Sequence, residues 1–432
     1  MFILFHIVKP LTRIAFRRFY RKIYFHGEEH LPKDKSLILA VNHPTAFIDP
    51  VLVAGFVHPT VNTLLRGDMF KGKFISWLLR QFRLIPIFRM RDGIGNLKQN
   101  QDSLDYCMDL LHRGKHISIL AEGVSEMEKR LRPVQKGTAR MAFGVYDQHG
   151  EAPIAVVPVG VNYTDPSRFR TEVMIAFGPP LLVEDYLEAY QQNPRGTITK
   201  LTKDLEIAMR KLVIHIENPE DDVWVDRILE VIRHNHPTPF WPQQSKNDAQ
   251  RAREYHQVEK LNALSAEDKA SLRSVVDEYW QKLTNHQITD FGVVHYKRSL
   301  TGWWLLMLLG ALPFLLGYVM NIGPVWLGKR FVDQKIKDPK FYTPVWFGVT
   351  FFTHIFYYLL IFIAALIIRK PWMWMLAAAL PVLGQWALYY NDKYREGRSI
   401  RAVQSLPAIE QEALISARNN LIALTADLSG QS

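Results

Sequence analysis

Two residues able to move protons follow an apolar run near the start of the chain. The stretch LAVNHPTAFIDP, residues 39–50, places His43 directly after that run and Asp49 six residues later. A neutral imidazole can accept a proton from a hydroxyl, and a carboxylate on its other nitrogen fixes the tautomer and stabilises the cation. Six residues of helix rotate through about 600°, so the two side chains meet only if residues 44–48 contain a turn. The alternative is an ordinary turn with a solvated Asp49.

A second polar block also follows an apolar run. Glu122 and Gly123 come directly after the run ISILA, at the position where parallel α/β sheets form their ligand crevice. The downstream basic side chains can hold a phosphate through charge-assisted hydrogen bonds. These side chains are Arg130, Arg132, Lys136 and Arg140. The alternative is a solvated basic loop.

The stretch IPIFRMRDG, residues 85–93, contains two arginines separated by one residue. Arg89 and Arg91 share one face of a strand end, because alternate residues of a strand point the same way. Two guanidinium groups at a strand end can bind phosphate oxygens as bidentate donors. The alternative is a pair of arginines that face solvent.

Short β-rich apolar runs alternate with longer mixed segments between residues 27 and 215. The runs are SLILAVN (36–42), RLIPIF (83–88), ISILA (117–121), IAVVPVGVNY (154–163) and EVMIAFG (172–178). Continuous apolar runs are typical of parallel strands buried on both faces. The sequence therefore predicts an α/β domain over 27–215, with a central, mostly parallel sheet flanked by helices. A helical connecting region over 216–300 is predicted to follow it.

The chain is basic, with a formal net charge of +11 over 432 residues. Such a surplus suits nucleic acid or an anionic membrane, and the sequence has no nucleic-acid motif of recognised spacing. The single cysteine, Cys107, excludes an internal disulfide and a cysteine-based metal cluster. Segment 1–26 combines apolar residues at helical spacing with many arginines and lysines. It is predicted to form a basic amphipathic helix on the membrane surface; a core helix is the alternative.

Three uncharged segments stand near the C-terminus, at 302–327, 345–368 and 371–391. The last two are long enough to span a bilayer as a tight hairpin, and together the three form a predicted α-helical membrane region over 301–391. Lysines and arginines flank the hairpin on both sides, which predicts that both flanks are cytoplasmic.

A single span over 302–327 would separate the globular domain from the lysine-rich stretch 329–340. A re-entrant hairpin bent near 313–317 keeps both on the cytoplasmic side, and we predict such a hairpin. Three full spans are the alternative. Residues 392–432 are predicted to form a cytoplasmic helical tail.

The order of these blocks is specific: a His/Asp block, an arginine block, a Glu-Gly block and a Val-Pro-Val block. The stretches are NHPTAFIDP, IPIFRMR, LAEGVSE and VVPVGVNY. This order resembles the glycerophospholipid acyltransferase family, which includes glycerol-3-phosphate and 1-acylglycerol-3-phosphate O-acyltransferases. Five residues separate His43 from Asp49, where the common family signature has four. The longer spacing is similar to the glycerol-3-phosphate/dihydroxyacetone-phosphate acyltransferase branch. The Glu-Gly block also lacks the proline that usually precedes it.

The resemblance implies roles for the residues that match its motifs. His43 would be the general base that deprotonates the acceptor hydroxyl, and Asp49 would orient it. The residues implied to bind the glycerophosphate are Arg89, Arg91, Glu122, Gly123, Arg132 and Lys136. The acyl donor would be acyl-CoA or acyl-carrier protein, with no metal or prosthetic group.

The resemblance also implies an integral membrane enzyme in phospholipid synthesis, with its catalytic domain facing the cytoplasm and with membrane lipids as partners. The acceptor stays open among glycerol-3-phosphate, dihydroxyacetone phosphate and a lysophosphatidate. Two other function classes stay open as well. One is a membrane-anchored lipid-binding or transport protein with a non-catalytic domain, and the other is a thioester or phospholipid hydrolase.

Overall fold

The computed structural model divides the chain into two compact units. The residues it describes are 3–88, 97–151 and 153–427. The first unit takes residues 1–215 and 240–255, and the second takes 216–239 and 256–432. The predicted connecting region 216–300 is therefore divided between the units, because residues 240–255 belong to the first.

The described part of the first unit is built on one nine-stranded sheet. In chain order the strands are β1 (Lys22–His26), β2 (Ser36–Val41), β3 (Val61–Arg66), β4 (Leu84–Ile87), β5 (His116–Leu120), β6 (Ile154–Tyr163), β7 (Glu172–Phe177), β8 (Leu181–Leu182) and β9 (Gln244–Ser245). Their order across the sheet is β4-β3-β5-β2-β6-β7-β1-β9, with β8 paired to β6. Only the two pairings of β6 with β7 and β8 are antiparallel. The fold class is therefore α/β with a mostly parallel sheet.

Helices connect these strands. They are α1 (Ile3–Phe19), α2 (Ile48–Phe56), α3 (Lys73–Gln81), α4 (Leu97–His112), α5 (Gly137–His149), α6 (Leu187–Gln192) and α7 (Pro194–Arg210). The chain winds from β2 to β3, β4 and back to β5 on one side of β2, and then crosses to β6 on the other. Such a reversal leaves a crevice at the carboxyl ends of the central strands.

The five apolar runs of the sequence all form strands, and every residue of β2 and β6 is buried. The N-terminal prediction needs a correction, because α1 ends at Phe19 and the chain then enters β1. Ile23 and Phe25 are almost completely buried in β1, which pairs with β7. The arginines and lysines around these residues obscure the apolar pattern of a short strand, so the sequence prediction extended the helix to residue 26.

The second unit is helical in its described residues, apart from short turns. Its helices are α8 (Asp222–Asn235), the second half of α9 (Ala249–Asn262), α10 (Ala266–Asn285), α11 (Asp290–His295), α12 (Thr301–Lys335), α13 (Pro339–Ile368), α14 (Pro371–Gln404) and α15 (Ala408–Asp427). The predicted re-entrant hairpin within 302–327 is wrong, because α12 runs through the segment without a break. Pro313 and Pro324 lie inside the helix and do not interrupt it.

The two ends of the α12–α14 segment lie together. Gln404 donates hydrogen bonds to the carbonyls of Tyr296 and Arg298, at 2.5 and 3.0 Å. The indole Nε1 of Trp303 donates to the carbonyl of Lys393 at 2.9 Å. Three helices that each crossed a membrane once would leave these ends on opposite faces. The alternative of three full spans is therefore also wrong for this arrangement.

Two helices of the described chain are long and apolar enough to cross a membrane. They are α12 and α13, with mean hydropathies of 2.0 and 2.3 over their most apolar stretches. Only 17% and 6% of those stretches are buried, whereas a core helix of a soluble protein would be mostly buried. These apolar surfaces indicate association with a membrane.

Candidate active site

His43 and Asp49 are in contact at the carboxyl end of the central strand β2. The chain leaves β2 at Val41, turns over residues 44–47 and begins α2 at Ile48, so Asp49 stands in the first turn of that helix. His43 Nδ1 lies 2.9 Å from Asp49 Oδ2. A carboxylate only accepts hydrogen bonds, so Nδ1 carries the proton and Nε2 is left as the basic nitrogen.

Asn42 holds the backbone just before His43. Its Nδ2 donates to the carbonyl of Val161 at 3.0 Å, and its Oδ1 accepts from the N–H of the same residue at 2.6 Å. The side-chain amide thus continues the ladder between β2 and β6 beyond the last backbone pair. This contact orients the chain where it leaves the sheet and turns toward α2.

The buried carboxylate of Asp49 accepts four hydrogen bonds. Besides His43, the donors are the N–H of Thr45 (2.8 Å), the hydroxyl of Thr45 (2.6 Å) and the hydroxyl of Tyr163 (2.6 Å). Burial and the charge of Asp49 raise the pKa of Tyr163 well above its ordinary value, so its hydroxyl stays protonated and donates. The carboxylate is fixed in one orientation, and it fixes the imidazole in turn.

We expect Tyr163→Phe to lower both stability and turnover. The variant removes one hydrogen bond to a buried charge, a loss of about 2 kcal/mol in the free energy of unfolding. Tyr190→Phe is a matched control, because Tyr190 donates to Asp147 at 2.8 Å away from this site. Thermal unfolding should register both changes, whereas kcat should fall only for Tyr163→Phe. Equal kcat values would show that Tyr163 has no positioning role.

Glu122 follows β5, the neighbour of β2, and is 4% exposed. Burial raises the pKa of its carboxyl to about 8, although the backbone N–H groups of Arg132 and His43 donate to it. Its Oε1 is buried and has no hydrogen-bond partner among the described residues. At neutral pH the side chain is therefore a protonated acid that accepts from the backbone of His43, and its Oε1 can carry the proton.

The other predicted residues of this block differ in how they are placed. Gly123 has a φ of +69°, a conformation that glycine adopts without strain, and it turns the chain just after Glu122. Arg132 lies near Glu122, and its guanidinium is paired with Glu128 at 3.0 Å. The Nζ of Lys136 is exposed and donates to Thr199 in α7 at 2.9 Å. Gly123 and Arg132 therefore lie beside Glu122, whereas the side chain of Lys136 is bonded to α7.

Arg89 and Arg91 lie outside the described residues. Sequence reasoning missed Asn42, Thr45 and Tyr163, three residues that hold the His/Asp pair. Thr45 stands inside the quoted motif and could have been recognised there. Tyr163 is 114 positions from Asp49 and gives no local signal. No group of three His, Cys, Asp or Glu side chains in the described ranges is arranged to hold a metal.

Comparisons with known proteins find similar sequences. A family model described as Acyltransferase matches residues 22–162. Glycerol-3-phosphate O-acyltransferase 2 of Saccharomyces cerevisiae is 33% identical over 119 residues, which are 27% of this chain and 16% of the yeast protein. The chloroplastic 1-acyl-sn-glycerol-3-phosphate acyltransferase LPAT1 of Arabidopsis thaliana is 27% identical over 153 residues, which are 35% of this chain and 39% of the plant protein.

A solved structure is also similar, the 1-acyl-sn-glycerophosphate acyltransferase PlsC from Thermotoga maritima. It is 19% identical, with a TM-score of 0.33, over 46% of this chain and 78% of that one. This chain matches well under half the length of the yeast and plant relatives, so the likeness concerns one domain of each. The matched segment contains His43, Asp49 and Glu122. This chain therefore carries an acyltransferase domain over residues 22–162, similar to that of glycerol-3-phosphate and 1-acyl-sn-glycerol-3-phosphate acyltransferases.

Proposed function

We propose that this protein is a membrane-bound O-acyltransferase of phospholipid synthesis. It moves a fatty acyl group from acyl-CoA or acyl-carrier protein to a hydroxyl of glycerol-3-phosphate or of a 1-acylglycerol-3-phosphate. The observation that carries the proposal is the contact of 2.9 Å between His43 Nδ1 and Asp49 Oδ2. It lies beside a buried glutamic acid at the carboxyl edge of the sheet.

The reaction needs one base and no covalent enzyme intermediate. His43 Nε2 takes the proton of the acceptor hydroxyl as its oxygen attacks the thioester carbonyl. A carbon–oxygen bond forms, the carbon–sulfur bond breaks, and the imidazolium returns its proton to the leaving thiolate. Asp49 stabilises the imidazolium through the hydrogen bond at Nδ1.

The residues around Glu122 bind the phosphate group of the acceptor. A protonated carboxyl donates a hydrogen bond to a phosphate or hydroxyl oxygen, which a carboxylate does not. The charge of Arg132 lies close enough to Glu122 to act on the pKa of its carboxyl, which it lowers. Arg89 and Arg91 would supply the bidentate donors that the resemblance implies, and Gly123 would let the ligand approach the backbone. Lys136 is a weaker candidate because it is bonded to Thr199.

We expect the KM for the phosphate acceptor to rise as the pH passes through about 8, the pKa of Glu122. Below that pH the carboxyl is neutral and donates, whereas above it a carboxylate repels the phosphate. The phosphate itself loses its second proton near pH 6, below this window. Glu122→Gln stays neutral at every pH and should flatten the rise. An unchanged rise in that variant would assign the pH dependence to another group.

The apolar faces of α12 and α13 support attachment to a membrane, which keeps the enzyme where acyl chains accumulate. We infer that the acyltransferase unit faces the cytoplasm, because lysines and arginines flank the apolar segments. Segment 3–19 would lie along the membrane surface.

The function is tested by one assay of the purified protein in lipid. Glycerol-3-phosphate, dihydroxyacetone phosphate and lysophosphatidate are each supplied with acyl-CoA or acyl-carrier protein, and the products are identified by mass. We expect an ester of one of these acceptors. Release of free fatty acid, with no ester, would indicate a hydrolase instead. Lipid binding without turnover of any donor would indicate a non-catalytic lipid-binding protein.

A further inference from the structure

Helix α3 exposes large apolar side chains on the surface of the first unit. None of its nine residues is buried, although the helix is strongly amphipathic. The side chains of Phe74 and Trp77 are 68% and 53% exposed, and their ring centroids are 6.0 Å apart. An exposed apolar patch of this kind on a soluble domain marks a binding surface.

Helix α1 contacts α3 and has an apolar outer face of its own. Phe16 and Phe19 pack inward, whereas Ile7, Leu11 and Ile14 are exposed and share one side of the helix by their spacing. The basic residues near them are partly used inside the unit. Lys9 donates to the carbonyl of Val57 at 3.1 Å, and Arg13 donates to the carbonyl of Gly55 at 2.5 Å. The outward face of α1 is thus mainly apolar.

Helices α1 and α3 carry basic side chains and no acidic ones. Residues 1–27 and 69–88 contain no aspartate or glutamate. Lys71, Lys73 and Arg80 are exposed on or beside α3. Apolar rings with a rim of unopposed cations match a bilayer that contains anionic lipid, where rings enter the interface and cations meet phosphates.

We propose that α1 and α3 form one membrane-docking surface, which seats the acyltransferase unit on an anionic bilayer. The docking surface comprises Ile7, Leu11, Ile14, Phe74 and Trp77 with the basic rim of Lys71, Lys73 and Arg80. A second copy of the chain fits less well, because a two-fold contact would set the basic rim against itself. This docking goes beyond acyl transfer and does not depend on it.

The position of α3 places the docking surface near the candidate active site. α3 begins shortly after β3 ends, and β3 runs parallel to the strands β5 and β2, after which Glu122 and His43 follow. The carboxyl ends of parallel strands meet at one edge of a sheet. A bilayer bound at α3 therefore lies at the same edge as the base, where a lipid product has a short path into the membrane.

A fluorescent label tests the proposal on the full chain in nanodiscs. The polarity-sensitive dye NBD is attached to Phe74→Cys and, as a matched control, to Gln192→Cys, an exposed position of the same unit. The native Cys107 is buried, and burial raises the pKa of its thiol to about 12, so it reacts slowly. The discs contain phosphatidylcholine with or without phosphatidylglycerol, and nitroxide-labelled lipid serves as quencher.

We expect blue-shifted, lipid-quenched emission at position 74 in discs with phosphatidylglycerol, and polar, unquenched emission at position 192. Replacing Lys71 and Lys73 by glutamine should weaken the quenching at position 74. Equal, unquenched emission at both positions would overturn the proposal. The proposal would also be overturned if the dye at position 74 stayed in an apolar environment in detergent and copies of the chain could be cross-linked. The docking surface would then bind a second copy of the chain. These fluorescence measurements need no turnover, so their outcome is independent of the acyltransferase assay.

Discussion

His43→Ala should abolish acyl transfer while the protein stays folded and bound to lipid. A positioned general base contributes about 10²–10⁴-fold to such a rate, and no other described residue takes its place beside Asp49. The expected measurement is a loss of kcat of about 10³-fold in the ester-forming assay. Lipid retention should be close to that of the unchanged protein. The free energy of unfolding should fall by about 2 kcal/mol, as for Tyr163→Phe, because the variant also removes a hydrogen bond to the buried charge of Asp49.

Two further variants separate the chemistry from the packing. His43→Asn keeps a donor that can bind Asp49 but has no basic nitrogen, so it should be as inactive as the alanine variant. His30→Ala removes an exposed histidine of the same unit and should leave kcat unchanged. Activity in His43→Asn close to that of the unchanged protein would refute the role of His43 as base.

Labels placed at the two ends of the α12–α14 segment should react from the same side of the membrane. The contacts of Gln404 with Tyr296 and Arg298 hold these ends together. Residues held together by such contacts lie at one face of a bilayer, because the hydrocarbon core is about 30 Å thick.

The measurement uses cysteines at Ser299 and Ser405 in sealed vesicles and a thiol reagent that does not cross the bilayer. Ser299→Cys and Ser405→Cys should both be labelled from one side, which we propose is the cytoplasmic side. Labelling of Ser299→Cys and Ser405→Cys from opposite sides would contradict the packing described here. The buried Cys107 contributes little background.

Local patterns in the sequence determined most of the sheet. Five long apolar runs became strands, because a strand buried on both faces needs an unbroken apolar run. Strand β3 escaped prediction because Asn62 and Thr63 interrupt its apolar residues. Strand β1 escaped because basic residues stand beside it, and β9 is only two residues long. These three strands exist through pairing with distant partners, which local composition does not encode.

The sequence by itself also predicted His43 as the candidate base, Asp49 as its acidic partner and Glu122 as a candidate binding residue, since their types and order resemble one family. Only the tertiary structure decided how they are held. Asp49 is fixed by Tyr163 from β6, and the backbone before His43 is fixed by Asn42 against Val161. The course of α12 and the meeting of the two ends of the α12–α14 segment were also decided there. Each depends on contacts between residues far apart in the chain, and those contacts form only when the elements pack.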